Sequence, residues 1–269
     1  MKKLSLLFFV ITLISCSQEI KEVKVVEPNQ LVEREGLTYE KFSDIPYTGN
    51  QISYYENGQL ESKGQYVDGK FEGLLFFYDE NGDLNQKHTF KNGKWNGLHE
   101  NYIDGQLLER LNYKNDEYDG PQMYYNNDGN VDRKEVYANG KEISIEGYYE
   151  NGNLDFSYTY EDEKMIEEKY FYDNGQLKSK TNWANNRPFG PYESYYKNGQ
   201  LESKHNFNEN GKREGSFRFY YENGQLSDKG TYEDGELIGE FEFYYANGQL
   251  AKKGTYKDGE FIGEKFPKN

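Results

Sequence analysis

The 269-residue sequence predicts an all-β protein, a single-layer, elongated and twisted antiparallel sheet built from about nine stacked β-hairpin repeats of roughly 24 residues. Three observations carry this. Glycines 58, 82, 105, 129, 152, 175, 199, 224 and 248 follow one another at intervals of 23 to 25 residues. Most stand in Asn-Gly or Asp-Gly dipeptides, which tolerate the positive φ of tight hairpin turns. Between the turns, aromatic residues recur at period two, as in Phe241, Phe243 and Tyr245 or Phe217, Phe219 and Tyr221. That period marks one apolar face of a strand.

Before the repeats stands a leader. Lys2 and Lys3 precede an eleven-residue apolar run, residues 4–14, and Ser15 and Cys16 close it. Eleven residues rise only about 16 Å as a helix, too short for a hydrocarbon core of about 30 Å. Residues 1–15 therefore read as a signal peptide. Leu13-Ile14-Ser15-Cys16 resembles the bacterial lipobox, which implies lipidation of Cys16 and an envelope location, periplasmic or surface-exposed. Cys16 is the only cysteine, so no internal disulfide or thiolate metal cage is available to the chain. Residues 16–37 are polar and charged and read as a tether, with an edge strand around residues 23–26 as the alternative. Residues 38–269 hold the repeat array.

Without Lys2 and Lys3 the chain has 30 basic and 47 acidic side chains, a formal charge of about −17. Such a surface repels phosphate backbones and anionic headgroups, which argues against nucleic-acid binding. The 27 tyrosines and low proline content do not suit disorder.

Each repeat reads as strand, turn, strand, turn. The first turn follows a doubled aromatic, as in Tyr54-Tyr55-Glu56-Asn57-Gly58-Gln59-Leu60 and its copies at Tyr195, Tyr220 and Tyr244. A two-residue Asn57-Gly58 loop would place Tyr55 opposite Leu60. The same register predicts Tyr102/Leu107, Tyr149/Leu154, Tyr172/Leu177, Tyr196/Leu201, Tyr221/Leu226 and Tyr245/Leu250. Aromatic–aliphatic pairs of this kind are favourable by about 0.2–1 kcal/mol. A second turn follows about eleven residues later, at Asp68-Gly69, Asn92-Gly93, Asn210-Gly211, Asp234-Gly235 and Asp258-Gly259. Lone hairpins are marginal, so the repeats must stack, with rings lying over glycines 64, 73, 97, 230, 239, 254 and 263.

The phrase Tyr-Tyr-x-Asn-Gly-Gln-Leu followed by Lys-Gly-x-Tyr-x-Asp-Gly-x-x-x-Gly resembles the MORN-repeat variant found in bacteria. It is clearest from Gly224 to Gly239 and from Gly248 to Gly263, and Pro46-Tyr47-Thr48-Gly49 looks like its usual opening. The resemblance spans about residues 38–263 and implies an elongated sheet used for protein contacts. It also implies kinship with the YwqK-like antitoxin group, a role that a lipobox would move outside the cytoplasm as immunity. Residues 118–168 depart from the pattern, since neither Lys141-Glu142-Ile143 nor residues 161–165 carry the second glycine motif.

Little in the sequence suggests catalysis, and no catalytic residue, cofactor or metal site is expected. His88, His99 and His205 lack ligand spacing and read as solvated surface residues. Asn126-Asn127-Asp128-Gly129-Asn130 reads as a turn rather than a calcium loop, with Tyr124 where the first carboxylate would stand. Glu161/Glu163 and Glu167/Glu168 read as exposed charge runs. The leading expectation is a non-catalytic, membrane-anchored scaffold whose exposed tyrosines, Tyr54, Tyr78, Tyr195, Tyr220 and Tyr244, engage a protein partner. An immunity-type role and glycan binding by a tyrosine ladder are the alternatives.

Overall fold

The computed structural model describes residues 24–267. The leader, the lipidation candidate Cys16 and the first part of the tether lie outside the described residues.

The described chain forms one long, twisted, open sheet of 23 strands and a separate two-stranded hairpin. From Gly49–Tyr54 to Glu260–Lys265 each strand folds back on its chain neighbour, so spatial order follows sequence order. Three strands break near their start, where Gly73, Gly97 and Gly120 take positive φ: Lys70–Phe71 precedes Gly73–Tyr78, Lys94–Trp95 precedes Gly97–Ile103, and Glu117–Tyr118 precedes Gly120–Tyr125. The tether is more ordered than its composition suggests. Val25–Val26 pairs in parallel with Asn50 and Gln51, and Leu31–Arg34 forms a hairpin with Leu37–Glu40. Val26, Tyr47 and Tyr66, with Leu31 and Phe71 against them, make a small cluster that seals this end.

The two turns of a repeat differ in kind. At the second turn the expected two-residue loop forms: Val67 pairs with Lys70, and Asp68 and Gly69 both have positive φ. The same loop closes at Asn92-Gly93, Asp234-Gly235 and Asp258-Gly259. Asn210-Gly211 departs from it, because Gly211 donates to the Asn208 carbonyl and Asn208 to that of Lys212.

The first turn corrects the expected register. Gly58 N–H donates to the Tyr55 carbonyl at 2.9 Å and Tyr55 N–H to that of Gln59 at 2.9 Å. Gly58 has positive φ while Asn57 does not. This is a three-residue loop, a tight turn followed by a left-handed glycine. The extra residue moves the pairing by one, so Tyr54, not Tyr55, faces Leu60. The same slip gives Tyr148/Leu154, Phe171/Leu177, Tyr195/Leu201, Tyr220/Leu226 and Tyr244/Leu250. Only Tyr102/Leu107 keeps the expected register, because Asp104-Gly105 there is a true two-residue loop.

The slip turns the second tyrosine of each doublet into a link between repeats. Tyr55 donates its hydroxyl to the Tyr78 carbonyl at 2.7 Å, one repeat further on. Tyr149, Tyr172, Tyr196, Tyr221 and Tyr245 repeat this toward Phe171, Tyr195, Tyr220, Tyr244 and Phe266. The turn asparagine adds a second link, as Asn57 Nδ2 to the Glu80 carbonyl and Asn223 Nδ2 to that of Ala246. Asp79 and Asn126 take the tyrosine position in two repeats, and their side chains bond only within their own turns. The turn reading of residues 126–130 therefore holds.

The apolar face carries the core. Phe217 is 2 % exposed and packs on Phe219, Tyr232 and Phe241. A Cβ on Gly230 would stand 2.8 Å from the Phe217 ring, and one on Gly64 would stand 2.7 Å from Leu75. Gly254 and Gly263 lie under Phe261 in the same way. Gly73, Gly97 and Gly239 act differently, because their positive φ bends the strand and no ring crosses them.

Candidate interaction surface

The opposite face is organised around charge. Cross-strand register places Lys63, Phe76, Lys87, Glu100, Arg110, Met123, Lys134, Glu146 and Ser157 in one row. The row continues without a break through Lys169, Lys180, Glu193, Lys204, Arg218, Lys229, Glu242, Lys253 and Glu264. In a strongly acidic chain, this line of backbone neighbours is predominantly basic. Neighbouring strands lie about 4.8 Å apart, so flexible lysines reach a carboxylate across the ladder.

The ions form clusters. Glu242 accepts from Lys229 at 2.7 Å, from the Tyr244 hydroxyl, and from Lys253 at 2.9 Å. These bonds, that of Lys229 foremost, hold its carboxyl down at about 2. Burial opposes ionisation at Glu100, but Lys87 at 2.8 Å and Arg110 at 2.9 Å outweigh it and lower its pKa. Lys204 and the Tyr195 hydroxyl do the same for Glu193. Exposed pairs contribute little individually, and the half-buried carboxylates gain most.

Beside this row stand the five tyrosines expected from the sequence. Each faces the leucine of its own turn: Tyr54 Leu60, Tyr78 Leu84, Tyr195 Leu201, Tyr220 Leu226 and Tyr244 Leu250. Tyr54 is 57 % exposed, and the other four are half-buried. The Lys63 ammonium lies 5.6 Å from the Tyr78 ring centroid. The structure thus brings the five onto one face as two groups, Tyr54 and Tyr78 at one end and Tyr195, Tyr220 and Tyr244 toward the other.

Sequence reasoning missed the ionic row. Its signal is the recurring Leu-x-x-Lys or Leu-x-x-Arg after seven of the nine first turns, at Leu60/Lys63, Leu84/Lys87, Leu107/Arg110, Leu177/Lys180, Leu201/Lys204, Leu226/Lys229 and Leu250/Lys253. The histidines, expected to be solvated, are not. His99 is 1 % exposed and stacks on His88 at 4.7 Å, and His205 is 3 % exposed among Tyr192, Phe207 and Phe219. Burial lowers both His99 and His205 to about 4. The Glu167/Glu168 pair is no exposed charge run either. Glu167 binds Lys180 and Lys169, while Glu168 accepts from Tyr170 at 2.7 Å and from the Trp183 indole at 3.1 Å.

The irregular stretch, residues 118–168, changes the inner face from apolar to polar. Gln122, fully buried, accepts from Asn112 N–H at 2.7 Å and donates to the Asn112 carbonyl at 3.0 Å. Glu135 next to it receives the hydroxyls of Tyr124 and Tyr137 and pairs with Arg133. Burial, with Glu135 nearby, raises the Glu142 carboxyl. Here hydrogen-bonded carboxylates occupy a face that elsewhere carries stacked rings.

Six segments, residues 47–68, 71–92, 166–185, 190–212, 213–234 and 237–258, match the family described as MORN repeat variant. The unmatched interval, 93–165, holds most of the irregular stretch. No curated protein matches the sequence. Among solved structures, S. aureus TarM is 14 % identical with a TM-score of 0.26, covering 35 % of this chain and 19 % of its own. The TcdB2-TccC3 structure is 13 % identical with a TM-score of 0.20, over 80 % of this chain and 14 % of the other. A porin-like protein from Bacteroides uniformis is 9 % identical with a TM-score of 0.19, over 80 % of this chain and 92 % of its own. The chain spans less than a fifth of the first two.

Proposed function

Because this chain is built on MORN-variant repeats, we propose that it is a protein-binding scaffold, tethered to a bacterial membrane through lipidated Cys16, whose partner docks on the tyrosine-flanked ionic face. The observation that carries this reading is the unbroken row from Lys63 to Glu264 with tyrosines alongside it. Tyrosine offers large amphipathic contact area at small entropic cost, and patterned charge sets register and partner choice. Eight of the row's ten cations pair with carboxylates beside them, so the face offers a partner patterned charge of both signs. Among the described residues no helix is long and apolar enough to cross a membrane, and a lipid on Cys16 would supply attachment.

Two measurements test the proposal. Metabolic lipid labelling should mark the wild-type chain and not Cys16→Ala; equal labelling of both removes the anchor from the account. Tyr220→Ser with Tyr244→Ser should reduce partner recovery while the unfolding transition stays in place. An immunity-type role remains the second reading, supported by the family resemblance alone. A toxic or secreted effector encoded beside this gene, bound by the purified chain, would favour it.

A further inference from the structure

A cleft of about 590 Å³ opens on the inner face between the hydroxyl ladder of Tyr196 and Tyr221 and the rings of Tyr192, Phe207 and Phe219. Its volume is in the range of small-molecule sites. Three features distinguish it from a packing gap. His205 lines it, almost wholly buried, with both ring nitrogens lacking a hydrogen-bond partner. Buried polar atoms are nearly always bonded, so two on one ring call for a polar partner, a ligand or an ordered water, that reaches them as the ring turns toward the cleft. His205 also sits where the ladder slips between Lys204 and Asn206, and such bulges aim side chains out of the regular pattern. In the next two repeats the equivalent position is Gly230 and Gly254, under a ring, so packing alone does not require imidazole.

Around His205 the other groups are complementary in kind. Arg213 also lines the cleft, its guanidinium carbon 5.9 Å from the Phe219 centroid, and among the described residues it pairs with no carboxylate. Its one hydrogen bond to a side chain is to the Tyr232 hydroxyl at 3.2 Å. Ser194 and Ser203 share a hydrogen bond of 2.7 Å, and Ser194 donates to Glu202 at 2.9 Å.

We propose that this cleft binds an acidic sugar, a hexuronate residue of a glycan, with its carboxylate on Arg213, a hydroxyl on His205 and its C–H face against Phe219 or Tyr192. Arginine matches a carboxylate with paired donors. The rings match the apolar side of a pyranose. Glu202 accepts from Ser194 through Oε2 and offers Oε1 to a ligand hydroxyl, a group that a sugar acid carries and a flat aromatic acid lacks. The site shares only Tyr220 with the outer tyrosine face, so variants at Arg213 and His205 test it separately from that face.

Calorimetric titration of the full chain with glucuronate, galacturonate and their short oligomers tests this, with glucose, galactose and benzoate as comparators. The expected result is saturable uronate binding, with the neutral sugars weaker by about tenfold or more. Arg213→Gln should abolish the preference for the acid, and His205→Phe should weaken binding by about tenfold while the far-UV spectrum stays unchanged. No uronate binding at millimolar concentration, equal binding of glucose and glucuronate, or binding of benzoate as tight as uronate would each overturn the proposal. So would uronate binding that both folded variants retain at full strength.

Discussion

The dipeptide Tyr220-Tyr221 offers two hydroxyls that chemistry alone cannot tell apart, and the structure assigns them opposite consequences. Tyr221 donates to the Tyr244 carbonyl at 2.7 Å and Tyr196 to the Tyr220 carbonyl at 2.7 Å, each joining one repeat to the next. Tyr220 points to the other face, and its hydroxyl makes no such link. A hydrogen bond of this type contributes about 0.5–1.5 kcal/mol net, and a carbonyl left without a partner adds to the loss. Tyr196→Phe with Tyr221→Phe, whose acceptors are separate, should therefore cost about 2 kcal/mol. Tyr220→Phe should stay within about 0.5 kcal/mol. Urea unfolding followed by far-UV circular dichroism measures both, with midpoints compared at constant slope because an array of repeats need not melt as one unit. Equal losses for the two sets, or a larger loss for Tyr220→Phe, would refute the register and with it the assignment of faces.

Three further outcomes follow from local geometry. Asp116, Glu163 and Asn186 hold positive φ at the second position of a two-residue loop, where other repeats use glycine; Glu163→Gly should raise stability by about 0.5–1 kcal/mol in the same urea assay. Gly230→Ala drives a methyl to 2.8 Å from the buried Phe217 ring and should cost about 1–3 kcal/mol, with near-ultraviolet dichroism changing as the ring shifts. His99 and His205 titrate near 4 when folded and near 6.5 when free, so the unfolded chain binds more protons between those values. Stability should fall as pH drops from about 6.5 to about 4, by on the order of 3 kcal/mol for each ring. His205→Phe should remove about half of that slope. Glu242, depressed to about 2, loses its contribution in a lower window, from about 4.5 to about 2, which meets the histidine window only at its upper edge.

Turn chemistry made the architecture legible in the sequence, because Asn-Gly and Asp-Gly admit few backbone conformations and their recurrence fixes repeat length. The residue-level register was less legible. Asn57-Gly58 suits both a two-residue loop and the second and third residues of a three-residue loop, and the choice depends on Tyr55 and Gln59 closing the loop through their backbone. Asp104-Gly105, one residue shorter, shows the other solution in the same chain. The outer tyrosines are identifiable one by one because the face a strand residue takes follows alternation. The ionic row is not, because a cross-strand row joins residues ten to fourteen apart, and its members look like scattered surface charge in one dimension. The histidines escape for a related reason: three isolated residues carry no period, and only the sheet shows His88 against His99 and His205 among rings.

The outer face as the protein-docking surface is the central claim, and site-specific photo-crosslinking in intact cells of the native host tests it most directly. A photoreactive phenylalanine analogue would replace Tyr54, Tyr195, Tyr220 or Tyr244 on the outer face, and Tyr221 on the inner face. The account predicts a discrete protein adduct from the outer positions and none from Tyr221. Adducts from Tyr221 alone, or no adduct from any outer position while the chain remains folded, would contradict it.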